Sequence, residues 1–481
     1  MHKRPSLFQA LLPIVVLILL LVTNVQLFGD DATYGANQMG LLFAATVGAI
    51  IAIRLGYKWD EILDGIVKSI TSAMSAMLIL MLIGSLAGTW LLSGIVPALI
   101  YYGLDILNPT IFLFAACVVS AIVSLATGSS WTTAATIGIA LVGIGKAMGI
   151  HDGLVAGAIV SGAYFGDKMS PMSDTTNLAP AMAGTDLFTH IRYMTYTTVP
   201  TISITLLIFL IWGFTIDTKS SIDTVQEVHT AIASKFTITP WLFVVPLVVI
   251  GAILKKAPAI PALLMGALLG GVFAIIFQPN LVLEIAGTSV PSAWAYYKGV
   301  LLALYSQTNI VTGNAAVDEL LSASGMFGMM NTIWLIICAM TFGGVMESSG
   351  MLKRIADSII QYAHSTGSLV ASTAATCVVF NLTASDQYIS IVVPGRMYAP
   401  TYRERGLAPE NLSRTLEDSG TVTSAIVPWN TCGAYQSTVL GVSTFTYLPY
   451  AFFNYLSPLM TITYAYLGIK IRKLVSKPNN E

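Results

Sequence analysis

The sequence predicts an all-α polytopic membrane protein made of two inverted-topology repeats, with re-entrant hairpins and broken helices. Three observations lead to this fold class: an apolar composition, apolar runs long enough to cross a bilayer, and motifs that recur at a fixed distance. The chain has 481 residues, of which 55% are hydrophobic and 10% are charged. Soluble globular chains carry about 25% charged residues, so this composition indicates an integral membrane protein.

The spanning elements are predicted from the apolar runs. About 20 apolar residues cross a hydrocarbon core of about 30 Å, and a helix is the default because lipid leaves free backbone groups unsatisfied. The runs are Leu7–Phe28, Leu41–Leu55, Ile70–Leu92, Thr110–Leu125, Val199–Ile216, Trp241–Leu254 and Pro261–Phe277.

The remaining composition excludes several classes of protein. The net charge is −1, so no basic surface indicates nucleic-acid binding. Cys117, Cys338, Cys377 and Cys432 lie singly among apolar residues, without metal-ligand spacing or a disulfide framework, and we predict that they are buried. The run GIGKAM at Gly143–Met148 lacks the spacing of a P-loop and the Ser or Thr after its Lys. We therefore expect neither a bound nucleotide nor a cofactor.

The basic residues predict the orientation. Lys3 and Arg4 precede a first apolar run that lacks a small-residue cleavage site, so we predict a retained helix. By the positive-inside rule these two residues place the N-terminus in the cytoplasm, and Lys470 and Arg472 do the same for the C-terminus. An acidic linker, residues 217–239, would lie outside. We therefore expect an even number of crossings in a multi-pass protein of the cytoplasmic membrane.

Two halves of the chain resemble each other after a shift of 257 residues. The aligned pairs are LATGSSW (Leu125–Trp131) with LTASDQY (Leu382–Tyr388), Gly149 with Gly406, Pro171 with Pro428, and Gly184 with Gly441. We divide the chain into a first repeat, residues 1–216, the linker, and a second repeat, residues 240–481. The first repeat would start inside and the second outside. Such inverted repeats are typical of secondary transporters, which bind substrate where helices are broken.

Each repeat contains two polar interruptions at corresponding places. They are TGSSWTT (Thr127–Thr133), YFGDKMSPMSDTTNLAP (Tyr164–Pro180), NLTASDQ (Asn381–Gln387) and EDSGTVTSAIVPWNTCG (Glu417–Gly433). Non-helical backbone at membrane depth is tolerated only inside protein or beside a water-filled cavity, so we predict hairpin tips or unwound helices here. Their oxygen atoms would suit a hard cation, whereas half-helix N-termini would favour an anion.

Asp174 is the strongest candidate for an ion-binding carboxylate. It lies among hydroxyl and amide residues after Pro171, and ionisable groups at membrane depth usually mark a transport pathway. The alternative is that Asp174 only caps the following helix. Asp167 is the second candidate, although Lys168 beside it leaves open a solvated ion pair at the interface, with Asp167 at the entrance of the site. Asp386 takes the place of Ser129 in the second repeat and would complete the site.

Other charged residues are given structural or subsidiary roles. Glu417 and Asp418 are adjacent, so one would line a cavity while the other faces a loop. Arg414 is interpreted, with Arg403 and Arg405, as part of a charged loop. Two groups are predicted to be buried, Arg396 as the partner of a carboxylate and Glu347 in a hydrogen-bonded or site-adjacent position. The histidines are interpreted as surface residues: His2, His151, His190, His229 and His364.

Two of the polar motifs resemble a known family. GSSWTTAATIGIALVGIG, followed by GAYFGDKMSPMSDTTNLAPAMAGTD, is similar to the NhaC family of sodium/proton antiporters, part of the ion transporter superfamily. The resemblance covers almost the whole chain. It implies a homodimer with a hairpin-containing transport domain and a scaffold domain. It also implies that the second motif binds the ion, which here falls on Asp167, Ser170, Ser173, Asp174, Thr175 and Asn177. From the other breaks we add Thr127, Ser129, Asp386, Asn430 and Thr431.

These observations predict a secondary active transporter that exchanges Na⁺ for H⁺ across the membrane. A buried carboxylate is occupied by a proton or by a sodium ion, because burial disfavours its bare charge, and alternating access then gives antiport. The same family contains malate/lactate exchangers coupled to sodium and protons, so an organic anion is the alternative cargo. An intramembrane aspartyl hydrolase would need a Tyr-Asp pair and a Gly-x-Gly-Asp run, and the chain has neither. We therefore do not expect an enzyme.

Overall fold

The computed structural model describes residues 2–28, 32, 34–106, 108–216, 218–255, 257–313 and 315–474. Residue 217, where the predicted linker begins, lies outside these ranges. Within them, eight helices are long and apolar enough to cross a membrane, or nine if one bent pair is counted as a single span. Each apolar run predicted above lies mostly on helix, and the first of them coincides with a helix from end to end. The run Ile70–Leu92 is divided between two helices at Ala73.

The first repeat consists of helices that are interrupted where the polar motifs occur. Its elements are α1 (Leu7–Phe28), α2 (Ala36–Arg54), α3 (Trp59–Ser72), α4 (Met74–Leu92), α5 (Ile95–Ile106), α6 (Pro109–Thr127), α7 (Ser130–Thr133), a π-helical turn (Ala134–Gly138), α8 (Ile139–Ala147), α9 (Asp152–Met169), α10 (Asp174–Ala183) and α11 (Leu187–Gly213). The predicted linker forms helix α12 (Thr218–Lys235), which packs against α5 and α8.

The second repeat has the same interruptions and one short β-hairpin. Its elements are a 3₁₀ turn (Pro240–Phe243), α13 (Val244–Leu254), α14 (Ala259–Phe277), α15 (Pro279–Ala286), α16 (Ala293–Tyr305), β1 (Thr308–Asn309), α17 (Ala315–Leu320), β2 (Ser322–Ala323), α18 (Gly325–Gly328), α19 (Met330–Ser348), α20 (Met351–Ile360), α21 (Thr366–Thr383), α22 (Gln387–Glu404), α23 (Pro409–Leu416), a π-helical turn (Glu417–Thr421), a 3₁₀ turn (Ser424–Ile426), α24 (Thr431–Leu440), α25 (Thr444–Tyr447), a 3₁₀ turn (Leu448–Tyr450) and α26 (Phe452–Tyr466). The two strands pair in antiparallel fashion.

The helix boundaries repeat with the shift predicted from the sequence. Helix α24 starts and ends 257 residues after α10, and α6 and α21 begin with the same separation. Gly184 and Gly441 end the paired helices α10 and α24 in the left-handed conformation, with φ of 88° and 64°, which glycine adopts without a steric penalty. The duplication is therefore present in the backbone as well as in the motifs.

Two re-entrant hairpins enter the bundle from opposite ends. In the first hairpin, α6–α8, the chain returns so that Gly145 lies against Phe112, near the start of α6. In the second hairpin, α21–α22, Thr373 returns to hydrogen-bonding distance of Tyr402 (3.1 Å). The contacts at the two ends of helix α11 show that the hairpins enter from opposite directions. Its last residue, Gly213, lies against Thr110 at the start of α6.

The opposite end of α11 lies beside the start of the second hairpin. There, Tyr193 donates a hydrogen bond to the carbonyl of Lys470, which follows α26, while Tyr466 of α26 packs on Gly367 at the start of α21. Since the 27 residues of α11 extend about 40 Å at 1.5 Å per residue, the hairpins begin on opposite sides of the bundle. The two hairpins therefore enter from opposite ends, as inverted repeats require.

The remaining helices interleave the two repeats. Helix α2 of the first repeat packs against α19 of the second, and α14 of the second packs against α4 of the first. Close approaches of glycines allow both contacts: Gly48 lies against Val345, and Gly266 lies against Leu86. Neither repeat therefore forms a separate packing unit, and both contribute helices to the walls around the hairpins.

Candidate functional site

Four helices, α7, α10, α22 and α24, begin at the centre of the bundle, one after each polar interruption. A side-chain oxygen caps each N-terminus by accepting a backbone N–H hydrogen bond. Ser129 accepts from Thr132 (3.1 Å), Ser173 from Thr176 (3.5 Å), Asp386 from Ile389 (2.9 Å) and Asn430 from Cys432 (3.0 Å). Hydroxyl, amide and carboxylate side chains are the preferred N-caps. Two hydroxyl groups thus cap the helices of the first repeat, whereas a carboxylate and an amide cap those of the second.

The two breaks of each repeat touch one another. In the first repeat Gly128 adopts φ of 72° and lies directly against Met172, so that a Cβ at this position would meet the Met172 Cβ at 2.7 Å. In the second repeat the Thr431 N–H donates to the Ser385 carbonyl at 3.0 Å. Each hairpin tip is therefore joined to the neighbouring break in its own repeat.

A cavity of about 590 Å³ lies where the four N-termini meet. Eight of the predicted site residues line it: Thr127, Ser129, Asp167, Ser173, Asp174, Thr175, Asp386 and Thr431. A second wall, which we call the scaffold wall, comes from the ends of α3, α4 and α14 and contains small side chains. Its small members are Ser72, Ala73, Ser75, Ala76, Ala257 and Ala259, and Ile79, Pro258 and, from the end of α13, Ile253 complete it. The cavity is therefore polar on the hairpin side, whereas the scaffold wall is made mostly of small side chains with two isoleucines, Ile79 and Ile253, among them.

The three aspartates differ in their surroundings. Asp167, in the last turn of α9, is 7% exposed, and its Oδ2 accepts hydrogen bonds from the backbone N–H (3.0 Å) and hydroxyl (2.6 Å) of Ser130. Asp386 is also buried, with one oxygen used as the N-cap of α22. Asp174 is exposed at the first position of α10, where Ser173 provides the cap. Asp174 therefore is not the N-cap of α10.

Three predicted residues are absent from the cavity lining and instead hold the breaks in shape. The amide of Asn177 donates to the carbonyls of Pro171 (3.0 Å) and Ser173 (2.7 Å). Ser170 accepts from the N–H of Met172 at 3.3 Å. The third residue, Asn430, donates to the carbonyl and to the side-chain oxygen of Asn381, both at 3.1 Å.

A buried charged cluster lies behind the cavity. Lys168 pairs with Asp418, and neither side chain is exposed. Asp418 also accepts hydrogen bonds from Thr197 (2.9 Å) and Ser457 (3.0 Å). The alternative of a solvated, interfacial Lys168 is therefore wrong. The expectation that one of the adjacent acids faces a loop is also wrong, because Glu417 and Asp418 are both completely buried on the π-helical turn.

Two arginines and a histidine differ from their predicted environments. Arg396 is exposed on α22, so the prediction of a buried partner is wrong. Arg414 is completely buried and stacks on Tyr193 at 4.6 Å, although the sequence placed it in a loop. His190 is also buried and lies 2.8 Å from the Ser413 hydroxyl. Glu347 is exposed, so the prediction that it is buried is wrong. The prediction for the cysteines is confirmed, since all four are buried.

Sequence reasoning also missed Ser130, which makes both hydrogen bonds to Asp167. The sequence did indicate that Ser130 lies in a polar break, TGSSWTT, but it did not show that the side chain of Ser130 points towards Asp167. No cluster of three or more acidic, histidine or cysteine side chains that could hold a metal ion occurs within the described ranges. A cation bound here would therefore also need hydroxyl and carbonyl oxygens, which all four breaks supply.

Hairpins that enter from opposite ends and meet at a central polar cavity define a secondary active transporter. Comparison with known proteins agrees: a model of the Na⁺/H⁺ antiporter family matches residues 162–469. The Na⁺/H⁺ antiporter NhaC of Alkalihalophilus pseudofirmus is 36% identical over 479 residues, which cover 100% of this chain and 99% of that protein. This chain therefore belongs to the Na⁺/H⁺ antiporter family.

Two further relatives have names that specify other cargoes. The malate-2H⁺/Na⁺-lactate antiporter of Bacillus subtilis is 35% identical over 97% of this chain and 96% of its own length. The arginine/ornithine antiporter ArcD of Halobacterium salinarum is 38% identical over 98% of this chain and 94% of its own length. Full-length similarity therefore extends to antiporters named for sodium, organic acids and amino acids.

Proposed function

We propose that this protein exchanges Na⁺ for H⁺ across the cytoplasmic membrane at the hairpin cavity. The observation that supports this most directly is the buried carboxylate of Asp167, which lines the cavity and is supported by Ser130. A buried charge is costly unless it is paired, so this group favours a bound cation or a proton. Two further cavity carboxylates, Asp174 and Asp386, make the site acidic. The family and the NhaC relative agree with this cargo.

In this proposal Na⁺ and H⁺ compete for the same carboxylates. Asp167 carries the proton when sodium is absent, and its two hydrogen bonds from Ser130 position it when sodium is bound. Asp174, at the exposed side of the cavity, is the second carboxylate ligand and the first to meet an arriving ion. Hydroxyls of Ser173 and Thr175, which lie 3.1 Å apart, supply neutral oxygens. Thr127, Ser129 and Thr431 supply further oxygens, and Asp386 contributes from the second hairpin.

The orientation and assembly follow the same proposal. The start of the second hairpin lies beside Arg405, whose guanidinium donates to the Ser365 carbonyl (3.1 Å), and beside Lys470. By the positive-inside rule this end faces the cytoplasm, which places the C-terminus inside. Cysteine-accessibility labelling of Lys470→Cys from either side of the membrane tests this. The protein would act as a homodimer, which the mass of the purified protein–detergent complex tests.

An organic anion is the second candidate cargo, and one observation favours it. Four helix N-termini point at a cavity of about 590 Å³, and such termini attract negative charge. That volume exceeds what a single sodium ion requires. The B. subtilis malate/lactate relative has matching full-length similarity. In this case sodium would occupy the aspartates while the carboxylates of the organic acid face the N-termini.

Proton flux in proteoliposomes distinguishes the two cargoes. Vesicles with a pH-sensitive dye receive sodium alone, malate and lactate alone, sodium with both acids, or arginine with ornithine. We expect proton movement with sodium alone in the wild type and none in Asp167→Asn. Asp186→Asn is the matched control, since Asp186 is an exposed cap in a loop that Asn can replace. Proton movement only when an organic acid is present would overturn sodium/proton exchange, and normal flux in Asp167→Asn would overturn the site.

A further inference from the structure

A second cavity, of about 390 Å³, lies at the N-terminal end of α11, away from the transport site. Three of its lining residues are basic, namely Arg192, Lys470 and Arg472, and none is acidic. It is formed where residues 470–472, which follow α26, cross the first turns of α11. The basic residues come from both segments, so the fold brings cations together that are nearly 280 residues apart in sequence.

Most of the positive charge around this cavity is not neutralised by protein groups. No ion pair involves Arg192 or Lys470 within the described part of the chain, and the Lys470 ammonium lies over the Tyr196 ring at 4.6 Å. Arg472 pairs with Glu410 through one nitrogen at 2.8 Å. Behind Tyr193, the buried Arg414 has two guanidinium nitrogens, Nε and Nη2, without a hydrogen-bond partner. Within the cavity lining, Arg192 and Lys470 therefore carry positive charge that no carboxylate of the described residues pairs with.

The surroundings of the cavity are those of a membrane interface. Exposed apolar side chains flank it on both segments: Phe188 is 68% exposed, Tyr466 62% and Leu467 66%. Tyrosine and tryptophan concentrate at the headgroup level of bilayers, and basic residues beside a membrane attract anionic lipids. Arginine matches phosphate by forming paired hydrogen bonds.

We propose that this cavity binds the phosphate group of an anionic phospholipid headgroup, with the acyl chains against the flanking apolar side chains. Binding of the lipid would affect the transport site through residues 470–472, which form one side of the cavity. The N–H of Arg472 donates to the Tyr193 hydroxyl (3.2 Å), and its carbonyl accepts from Ala408 (3.0 Å). Ala408 immediately precedes α23, which leads into the π-helical turn that holds Asp418. Lipid binding would therefore stabilise the element that pairs with Lys168.

The test uses the full chain in nanodiscs of three compositions: phosphatidylcholine alone, phosphatidylcholine with phosphatidylglycerol, and phosphatidylcholine with added inorganic phosphate. We expect the midpoint of thermal unfolding to rise with phosphatidylglycerol only. The double variant Arg192→Gln/Lys470→Gln should lose most of that rise and should retain less phosphatidylglycerol on purification, as measured by mass spectrometry. Both side chains are exposed, so neither change disturbs the core.

Lys298→Gln/Lys353→Gln is the matched control, because it removes the same charge at exposed positions elsewhere. It should respond to phosphatidylglycerol as the wild type does. An equal loss in both double variants would show non-specific surface attraction and overturn the site. An equal rise with inorganic phosphate would identify a soluble anion and overturn the lipid. This outcome is independent of the transported cargo, since neither cavity shares a lining residue with the other.

Discussion

The ammonium group of Lys168 and the carboxylate of Asp418 form an ion pair from which solvent is excluded on both sides. The pair joins the last turn of α9 in the first repeat to the π-helical turn of the second. Ser457 of α26 and Thr197 of α11 complete it by donating to the carboxylate. Four elements from both repeats therefore converge on one charge pair directly behind Asp167.

Removing one member of this pair should destabilise the protein more than removing both. Lys168→Met or Asp418→Leu alone leaves a buried charge without its partner, which costs about 3–5 kcal/mol, whereas replacing both members is often nearly neutral. We expect each single variant to lower the midpoint of thermal unfolding strongly and the double variant to recover much of the loss. Unfolding in detergent measures all three. Additive losses in the double variant would contradict the coupling.

Ser130→Ala should weaken sodium binding without unfolding the protein. The change removes the 2.6 Å hydrogen bond from the hydroxyl to Asp167 and keeps the one from the backbone. Hydrogen bonds to charged groups contribute about 1.5–3 kcal/mol, so the apparent KM for sodium should rise roughly tenfold or more. Sodium titrations of proton flux measure it. Ser203→Ala, which removes only a bond to its own helix, should leave the KM unchanged; an unchanged KM in Ser130→Ala would argue against this role.

Gly128→Ala should separate the two breaks of the first repeat. The alanine would have to adopt the left-handed backbone conformation of Gly128, and its Cβ would lie only 2.7 Å from the Met172 Cβ. Gly184→Ala is the control, because Gly184 has φ of 88° but no atom within 4 Å of a new Cβ. We expect the control to lose about 1–2 kcal/mol from backbone strain alone and to keep transporting. Gly128→Ala should lose transport as well, and similar behaviour of both variants would contradict this.

Asp318 should make the segment around the β-hairpin sensitive to acid. Its carboxylate accepts hydrogen bonds from the Thr312 hydroxyl and N–H, both at 2.6 Å, and they lower the pKa of Asp318 below its ordinary value. A carboxylate with a lowered pKa stabilises the fold above its ordinary pKa, and this stabilisation is lost as pH falls through the lowered one.

The comparison with Asp318→Asn isolates this effect. At neutral pH the variant should unfold at a lower temperature than the wild type, because it lacks the charged acceptor. As the pH falls below ~3.9, the ordinary pKa of an aspartate, the two midpoints should converge. Thermal unfolding of both proteins across this range measures the difference. A difference that stays constant with pH would show that the charge of Asp318 has no such role.

The breaks and the duplication could be predicted because both are local properties of the sequence. Gly, Pro, Ser and Asn interrupt a helix where several of them cluster, as in the four polar motifs, and a repeat is visible as a constant shift. The capping positions Ser129 and Asp386 follow from the same pattern, since each precedes a helix of its own repeat.

The partners of the buried charges could not be predicted in this way. Lys168 meets Asp418 across 250 residues, and nothing beside either residue indicates the other. Arg414 lies in PENLSRTL, a polar helix whose residues are nearly all buried. Polar composition ordinarily places a helix at the surface, so the burial of this helix contradicts the usual pattern. Asp174 shows the converse, because its polar motif predicted depth while the residue itself is exposed.

The joined hairpin tips and the scaffold wall together bear on which interactions oppose movement of the ion site from one side of the membrane to the other. Because each hairpin tip contacts the break beside it, the oxygen ligands of a bound ion could move together as one rigid body. The scaffold wall that faces this group is mostly small, with Ser72, Ala73, Ser75, Ala76, Ala257 and Ala259 beside Ile79, Ile253 and Pro258. Small side chains at most of these positions offer few ridges to interlock, so we expect the cost of burying an unpaired carboxylate to oppose movement of the site more than side-chain packing does. We therefore expect an empty, charged site to be the state least able to cross the membrane, which would favour exchange over leakage.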